Sequence, residues 1–217
     1  MVQRKPTNGH ASMSSLESRQ HLLLLQGGMP ICSDRVKDEL REQLSEIPRC
    51  SETSLITRFE FVQHVEALNH ALRNIPAERV RMHVCWGNYE GPHHYDVPLA
   101  DIVDIIFSGR PASISFEAAN PRHAHEWALF ETVKLPEGKI VIPGVIESKS
   151  NFIEHPELIA NRISNYAKLV GRENVIAGSD CGYGTWVGQA AVDPDVVWAK
   201  FTALAEGARI ATERFWK

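Results

Sequence analysis

The sequence predicts an α/β fold built on a parallel sheet, and two observations carry that prediction. From about residue 57 onward, apolar residues recur first at steps of three and four and then at steps of two, so helix-like and strand-like segments take turns. From Val80 to the end, each of four strand-like segments is followed by a helix-like one, roughly 35 residues to a unit against the roughly 31 of a β/α barrel. Sequential units of this kind imply parallel strands with right-handed crossovers. Periodicity alone does not separate a closed barrel from an open doubly wound sheet.

Taken in order, residues 1–56 read as a helical and loop segment, in part disordered. Ser14-x-x-Glu17 resembles a capping box ahead of the leucine run Leu22 to Leu25, and Val36, Leu40, Leu44 and Ile47 form a second helical stripe ending at Pro48. Phe61, Val65, Leu68, Leu72 and Ile75 share one helix face, closed by Pro76. Between Arg79 and Cys85, Val80, Met82 and Val84 alternate with Arg81, His83 and Cys85, a strand signature. Pro98 opens a helical stretch through Ile106, ended by Gly109 and Pro111, and a short strand, Ala112 to Glu117, follows. A helix is expected over 122–133 and a β-branched strand over Lys139 to Val145. Leu158, Ile159, Ile163, Tyr166, Ala167 and Val170 make the next helical stripe, with Gly171 at the C-cap. Asn174 to Ala177 is the last strand, and Asp193-Pro194 supplies the N-cap and first position of a final helix.

Composition narrows the function. The chain has 217 residues, 43% of them hydrophobic and 23% charged, with a formal charge of -4. Its pI is about 6.2 and its mean hydropathy is -0.23. Nothing in that balance favours nucleic acid or anionic lipid, and no wholly apolar run exceeds four residues, so small neutral or anionic substrates are expected and a membrane span is not. Four cysteines without a CxxC pair, and no secretory signal, point to reduced thiols and a cytoplasmic location. No GxGxxG or GxxxxGK[ST] is present, which removes the main support for dinucleotide and P-loop readings.

The residues able to carry chemistry fall at strand ends. His83 and Cys85 project to one face of their strand, Glu117 closes the next, and Cys181 lies just past the last in Gly178-Ser179-Asp180-Cys181-Gly182. All C-terminal strand ends of a parallel sheet share one edge, where active sites collect. An isolated cysteine is ordinarily a small buried hydrophobe. Here, however, Glu117 follows Cys85 by about 32 residues and Cys181 follows Glu117 by about 64, one and two βα units. Two thiolates, an imidazole and a carboxylate on one edge make a Zn²⁺ site. Asp180 and His93 are the candidate catalytic groups, with His94 beside His93 in the same loop. Asn88, Asn120 and Glu147 are candidate substrate-binding residues, and Trp86 and Trp186 candidate pocket walls. Cys32 and Cys50 have no comparable placement.

His83-Val84-Cys85, the strand-end Glu117 and Asp180-Cys181-Gly182 resemble the zinc-site pattern of the C-terminal catalytic barrel of cobalamin-independent methionine synthase. The stretches Trp86-Gly87-Asn88-Tyr89-Glu90-Gly91-Pro92-His93 and Phe116-Glu117-Ala118-Ala119-Asn120-Pro121-Arg122 are similar, more closely, to the smaller methionine-synthase-like proteins related to epoxyalkane:coenzyme M transferase. The resemblance covers residues from about 58 to the C-terminus. It implies a partial TIM-type β/α barrel, its last four βα units over residues 57–217, behind a short helical N-terminal segment. It also implies a zinc-dependent thiol alkyltransferase with His83, Cys85, Glu117 and Cys181 as ligands. In that family a thiol such as homocysteine is activated as a zinc thiolate and takes a methyl group from a donor such as 5-methyltetrahydropteroyl-glutamate. The alternatives are an epoxide or other alkyl donor, and a truncated zinc-binding fragment without transferase activity. The implied partners are the small-molecule thiol and alkyl donor, together with a second half-barrel from a homo-oligomer or a complementing chain.

Overall fold

The computed structural model describes residues 21–26, 52–184 and 191–216. The leucine run forms strand β1 (His21–Gln26), not the helix expected there. Strands of a parallel sheet are covered on both faces and read as unbroken apolar runs, and so short a run carries no period to separate strand from helix. The capping box, the 36–47 stripe, Cys32, Cys50 and Trp186 lie outside the described residues.

Helix α1 (Glu52–Ala71) leads through a turn to β2 (Val80–Cys85). A 3-10 turn at Leu99–Asp101 and helix α2 (Val103–Ser108) precede β3 (Ser113–Phe116). Where a helix was expected over 122–133, the chain makes turns and a 3-10 helix, Glu126–Glu131. Asn120 caps the first of these turns, its Oδ1 accepting the amides of Arg122 and His123. Strand β4 (Ile140–Ile146) follows, then α3 (Pro156–Val170), β5 (Gly178–Ser179) and α4 (Pro194–Phe215). The last strand sits later than the expected 174–177, which contributes a lone bridge from Val175 to Val141. As the sequence predicts, α3 stops at Gly171 (φ 89°), and Asp193 caps α4 by accepting the amide of Asp195.

The five strands lie in chain order, β1-β2-β3-β4-β5, and every pairing is parallel. Unbroken sequential order is the winding of a β/α barrel, whereas a doubly wound sheet reverses direction partway. The described sheet is therefore an open part of a barrel.

One face of the sheet packs on the helices. Val80, Met82 and Val84 of β2 are buried with Ile114 and Phe116 of β3, Val141 of β4, Leu68 and Leu72 at the end of α1, and Ile102, Val103 and Ile106 around α2. Met82, Ile114 and Val141 form one row across three strands. Fully burying each of these side chains contributes about 1.5–3 kcal/mol. A second cluster, Val145, Ile146, Ile159 and Ala203, joins β4 to α3 and α4. Among the described residues, no helix is long and apolar enough to cross a membrane.

Candidate metal and substrate site

On the opposite face of β2, His83 and Cys85 point away from the helix layer, and the register sets His83 beside Ser115 of β3. Cys181 arrives from the turn after β5. The Sγ atoms of Cys85 and Cys181 are 3.3 Å apart, and His83 Nε2 lies 3.5 Å from Cys181 Sγ. These three donor atoms all fall within 4.8 Å of one another. Glu117 is 1% exposed, and its Oε1 is 3.6 Å from Cys181 Sγ. It stands beside the trio rather than inside it, held by the Trp86 amide on Oε1 (2.9 Å) and by the Asn120 side-chain amide on Oε2 (2.9 Å).

The donor set fits a borderline-soft cation such as zinc: two sulfurs and one imidazole, buried together, with a carboxylate at their edge. His83 Nδ1 is hydrogen-bonded to Ser115 Oγ (3.0 Å), which fixes the ring and leaves Nε2 toward the thiols. The hydrogen bond with Cys181 depresses the Cys85 pKa, with help from His83 and the Gly87 amide and against the opposing effect of burial. The same bond, together with burial, pushes Cys181 up. Burial above all raises Glu117, with the Lys149 ammonium opposing.

The other expected site residues divide by what they touch. Asp180 is fully buried; its Oδ1 accepts the amides of Ala118 and Ala119, and its Oδ2 those of the Asn120 backbone and side chain. Through these bonds it ties the loop after β3 to the turn carrying Cys181. Gly144 of β4 makes this close approach feasible, since a Cβ there would fall 1.9 Å from Asp180 Oδ1. His93 is held by its own loop and lines the cavity formed by the loops after β2, β3 and β4. Its Nδ1 meets Asp96 Oδ2 (2.8 Å) and its Nε2 the Tyr89 carbonyl (3.0 Å), so both ring nitrogens serve the loop itself.

Asn88 links three loops, donating to the Gly182 carbonyl (2.8 Å) and accepting from Ser148 Oγ (3.0 Å). Asn120 joins Glu117 to Asp180 and Glu147 accepts the Lys149 amide (2.8 Å), yet both also line a cavity of about 310 Å³ formed by the loops after β2, β3 and β4. Trp86 packs on the His123 ring, centroids 4.3 Å apart, and donates Nε1 to the Val97 carbonyl, which makes it a wall of the core. The His94 ring lies tilted against Tyr95, and its carbonyl accepts from Arg122.

Two contributors escape sequence reasoning. Ser115 is one of two serines in a four-residue strand, and only the cross-strand register singles it out. Lys149, with its Nζ 3.4 Å from Glu117 Oε2, comes from a loop whose course no local pattern encodes.

The chain is 26% identical over 172 residues to 2-hydroxypropyl-CoM lyase of Xanthobacter autotrophicus (strain ATCC BAA-1158 / Py2), a match covering 67% of this chain and 44% of that one. Its fold is similar to that of a B12-independent methionine synthase from Shewanella sp. W3-18-1, solved in complex with selenomethionine, with a TM-score of 0.57 and 17% identity over 89% of this chain and 49% of the other. The chain thus spans less than half the length of either protein. No family model matches it. The first likeness supports the family resemblance of the zinc-site motifs, and the second supports the barrel fold.

Proposed function

We propose that this protein is a zinc-dependent thiol alkyltransferase of the cobalamin-independent methionine synthase type, with His83, Cys85, Cys181 and Glu117 as the metal ligands. One observation carries the reading. Two cysteines and a histidine from strands far apart in sequence converge within 4.8 Å, buried, at the C-terminal edge of a parallel sheet. Zinc bound there would supply acidity, converting a substrate thiol with a pKa near that of cysteine, about 8.5, into its thiolate at neutral pH.

The chain's own residues do the rest. Ser115 Oγ, bonded to His83 Nδ1, holds the ring with Nε2 turned toward the thiols. Asp180 gathers the amides of Ala118, Ala119 and Asn120, and Asn120 in turn holds Glu117 beside Cys181. The cavity lined by Asn120 and Lys149, both bonded to Glu117, is where the organic part of the thiol and the alkyl donor would meet.

The thiol is homocysteine or a relative of it, and the donor a methylated pterin such as 5-methyltetrahydropteroyl-glutamate. The likeness to 2-hydroxypropyl-CoM lyase favours a second donor, an epoxide opened by the thiolate. We propose that a second half-barrel, from another copy or a separate chain, packs beside the open sheet and completes the substrate pocket. An alkylation assay with homocysteine and coenzyme M as acceptors tests the reading: zinc-dependent product with either supports it. No product from any thiol with zinc bound contradicts it and favours a zinc-binding fragment without transferase activity.

A further inference from the structure

Four titratable side chains in a row tie the loop after β2 to the turn after β3. His93 Nε2 meets the Tyr89 carbonyl at 3.0 Å, and its Nδ1 meets Asp96 Oδ2 at 2.8 Å. The same Asp96 oxygen meets His123 Nε2 at 3.0 Å, and His123 Nδ1 meets Glu126 Oε2 at 2.8 Å. Glu126 Oε1 accepts the Leu99 amide, so the row ends on the main chain at both sides. His123 is 1% exposed, and His93 and Glu126 are each 9% exposed.

This geometry fixes a proton count. Each of the four contacts joins a ring nitrogen to an oxygen and needs one proton, wherever along the contact that proton sits. Four protons make the row neutral, formally two imidazoliums and two carboxylates. In water at pH 7 the same side chains hold about two, because reference pKa values are about 6.5 for histidine and about 4 for the carboxylates. Closing the row therefore takes up about two protons, and opening it releases them.

The segment that the row pins is otherwise lightly held. Its ends are fastened at Asn88, by the Gly182 carbonyl and Ser148, and at Val97, whose carbonyl accepts Trp86 Nε1. Between them, residues 89–95 are exposed except at His93. Among the described residues, the hydrogen bonds leaving this stretch are that of Asp96 to His123 and the 3.3 Å bond from Arg122 to the His94 carbonyl. His93 has a φ of 49°, in the left-handed region that a residue with a side chain keeps only where its surroundings hold it. The same stretch gives Glu90, Gly91, Pro92 and His93 to the wall of the 310 Å³ cavity.

The neighbouring charges leave the direction of the proton uptake intact. Burial opposes a charge on His123, but the bonds to Glu126 and Asp96 outweigh it, Glu117 at the end of β3 adds an electrostatic pull, and the pKa is raised. The ring packed on His123, that of Trp86, is uncharged. Around His93 the cavity walls carry Glu90, Glu147, Arg122 and Lys149, two of each sign.

We propose that His93, Asp96, His123 and Glu126 form a proton-operated latch: filled, it pins the loop after β2 as a wall of the cavity, and emptied at alkaline pH it lets that wall open. The latch does not depend on what the metal site binds. Because the closed form holds more protons, closure is strongest below the unfolded histidine value of about 6.5 and fades as pH rises through the raised one.

The test is amide hydrogen exchange of the full chain between pH 6 and 9, corrected for the intrinsic base-catalysed rate and run where exchange reports the opening equilibrium. The Asp96 amide, bonded to the His93 carbonyl at 3.2 Å, reports the loop, and the amides of β2 and β3 report the sheet. The expected opening constant at Asp96 rises about 10- to 100-fold per pH unit where it is steepest, for one to two protons released, and stays above that of the sheet throughout. Asp96→Asn, which removes the carboxylate both rings share, opens the loop at pH 6 and flattens the profile. His123→Gln, which removes one titrating ring, lowers the slope to at most about tenfold per unit. A flat parent profile overturns the latch, and so do equal opening constants for loop and sheet, the mark of general unfolding. A slope that survives unchanged in folded Asp96→Asn overturns it as well. If a variant does not fold, the parent profile decides alone.

Discussion

Strand β2 has two faces that are buried alike and held for opposite reasons. Val80, Met82 and Val84 are at most 1% exposed and pack on α1, α2 and β3, where burial itself is the stabilising term. His83 and Cys85 are at most 8% exposed on the other side, but they bring an imidazole and a thiol out of water. Such groups cost free energy unless they are partnered, and here the partners are one another, Cys181 and Ser115. The apolar face builds the sheet, and the polar face uses the sheet's rigidity to hold a donor set that no single loop could hold.

Variants on the two faces separate these roles, and the largest effect belongs to the polar one. Cys181→Ser should weaken zinc binding about a hundredfold or more, measured by competition with a chromophoric chelator, while metal-free stability changes little. Glu117→Gln should lose less, because Glu117 stands outside the trio; an equal loss would make it a full partner. Next comes the apolar face. Met82→Ala should destabilise the fold by about 2–5 kcal/mol in denaturant titration and leave the zinc stoichiometry of the folded protein intact. Loss of zinc from folded Met82→Ala would break the separation of the two faces.

Smaller effects sharpen the comparison. Ser115→Ala should cost about 10- to 100-fold in zinc affinity with no change in the denaturation midpoint of the metal-free protein, since it frees the His83 ring without opening the core. The smallest effect concerns His123, behind Trp86. Burial works to lower its pKa, but hydrogen bonds to Glu126 and Asp96 outweigh burial and raise it. Its pKa is therefore higher folded than unfolded. The stabilisation is fully present below the unfolded value of about 6.5 and is lost as pH rises through the raised one. His123→Gln should narrow the gap between stability at pH 6 and at pH 9; an unchanged gap would remove His123 from the account.

What the sequence made legible follows from the same two faces. The alternation in β2 announced both, and the rule that parallel strands end on one edge brought Cys181 to His83 and Cys85 across 98 and 96 residues respectively. The hydrogen-bond partners of the polar groups were hidden. Asp180 and His93 look catalytic by type and position, and only the amides around one and the Asp96 and Tyr89 acceptors around the other show them engaged. Ser115 and Lys149 reach the site through register and loop course, which are properties of the assembled sheet. The leucine run of β1 carries no period that separates strand from helix, so its strand was not legible.

The central claim is that His83, Cys85 and Cys181 form the core of a zinc site. The most direct test is the metal content of the purified protein beside the Cys85→Ser, Cys181→Ser double variant, after both are stripped and re-exposed to zinc. The account predicts one tightly bound zinc per parent chain and none in the double variant, with both folded by circular dichroism. Equal zinc in the two proteins, or a folded parent that takes up none, would contradict it.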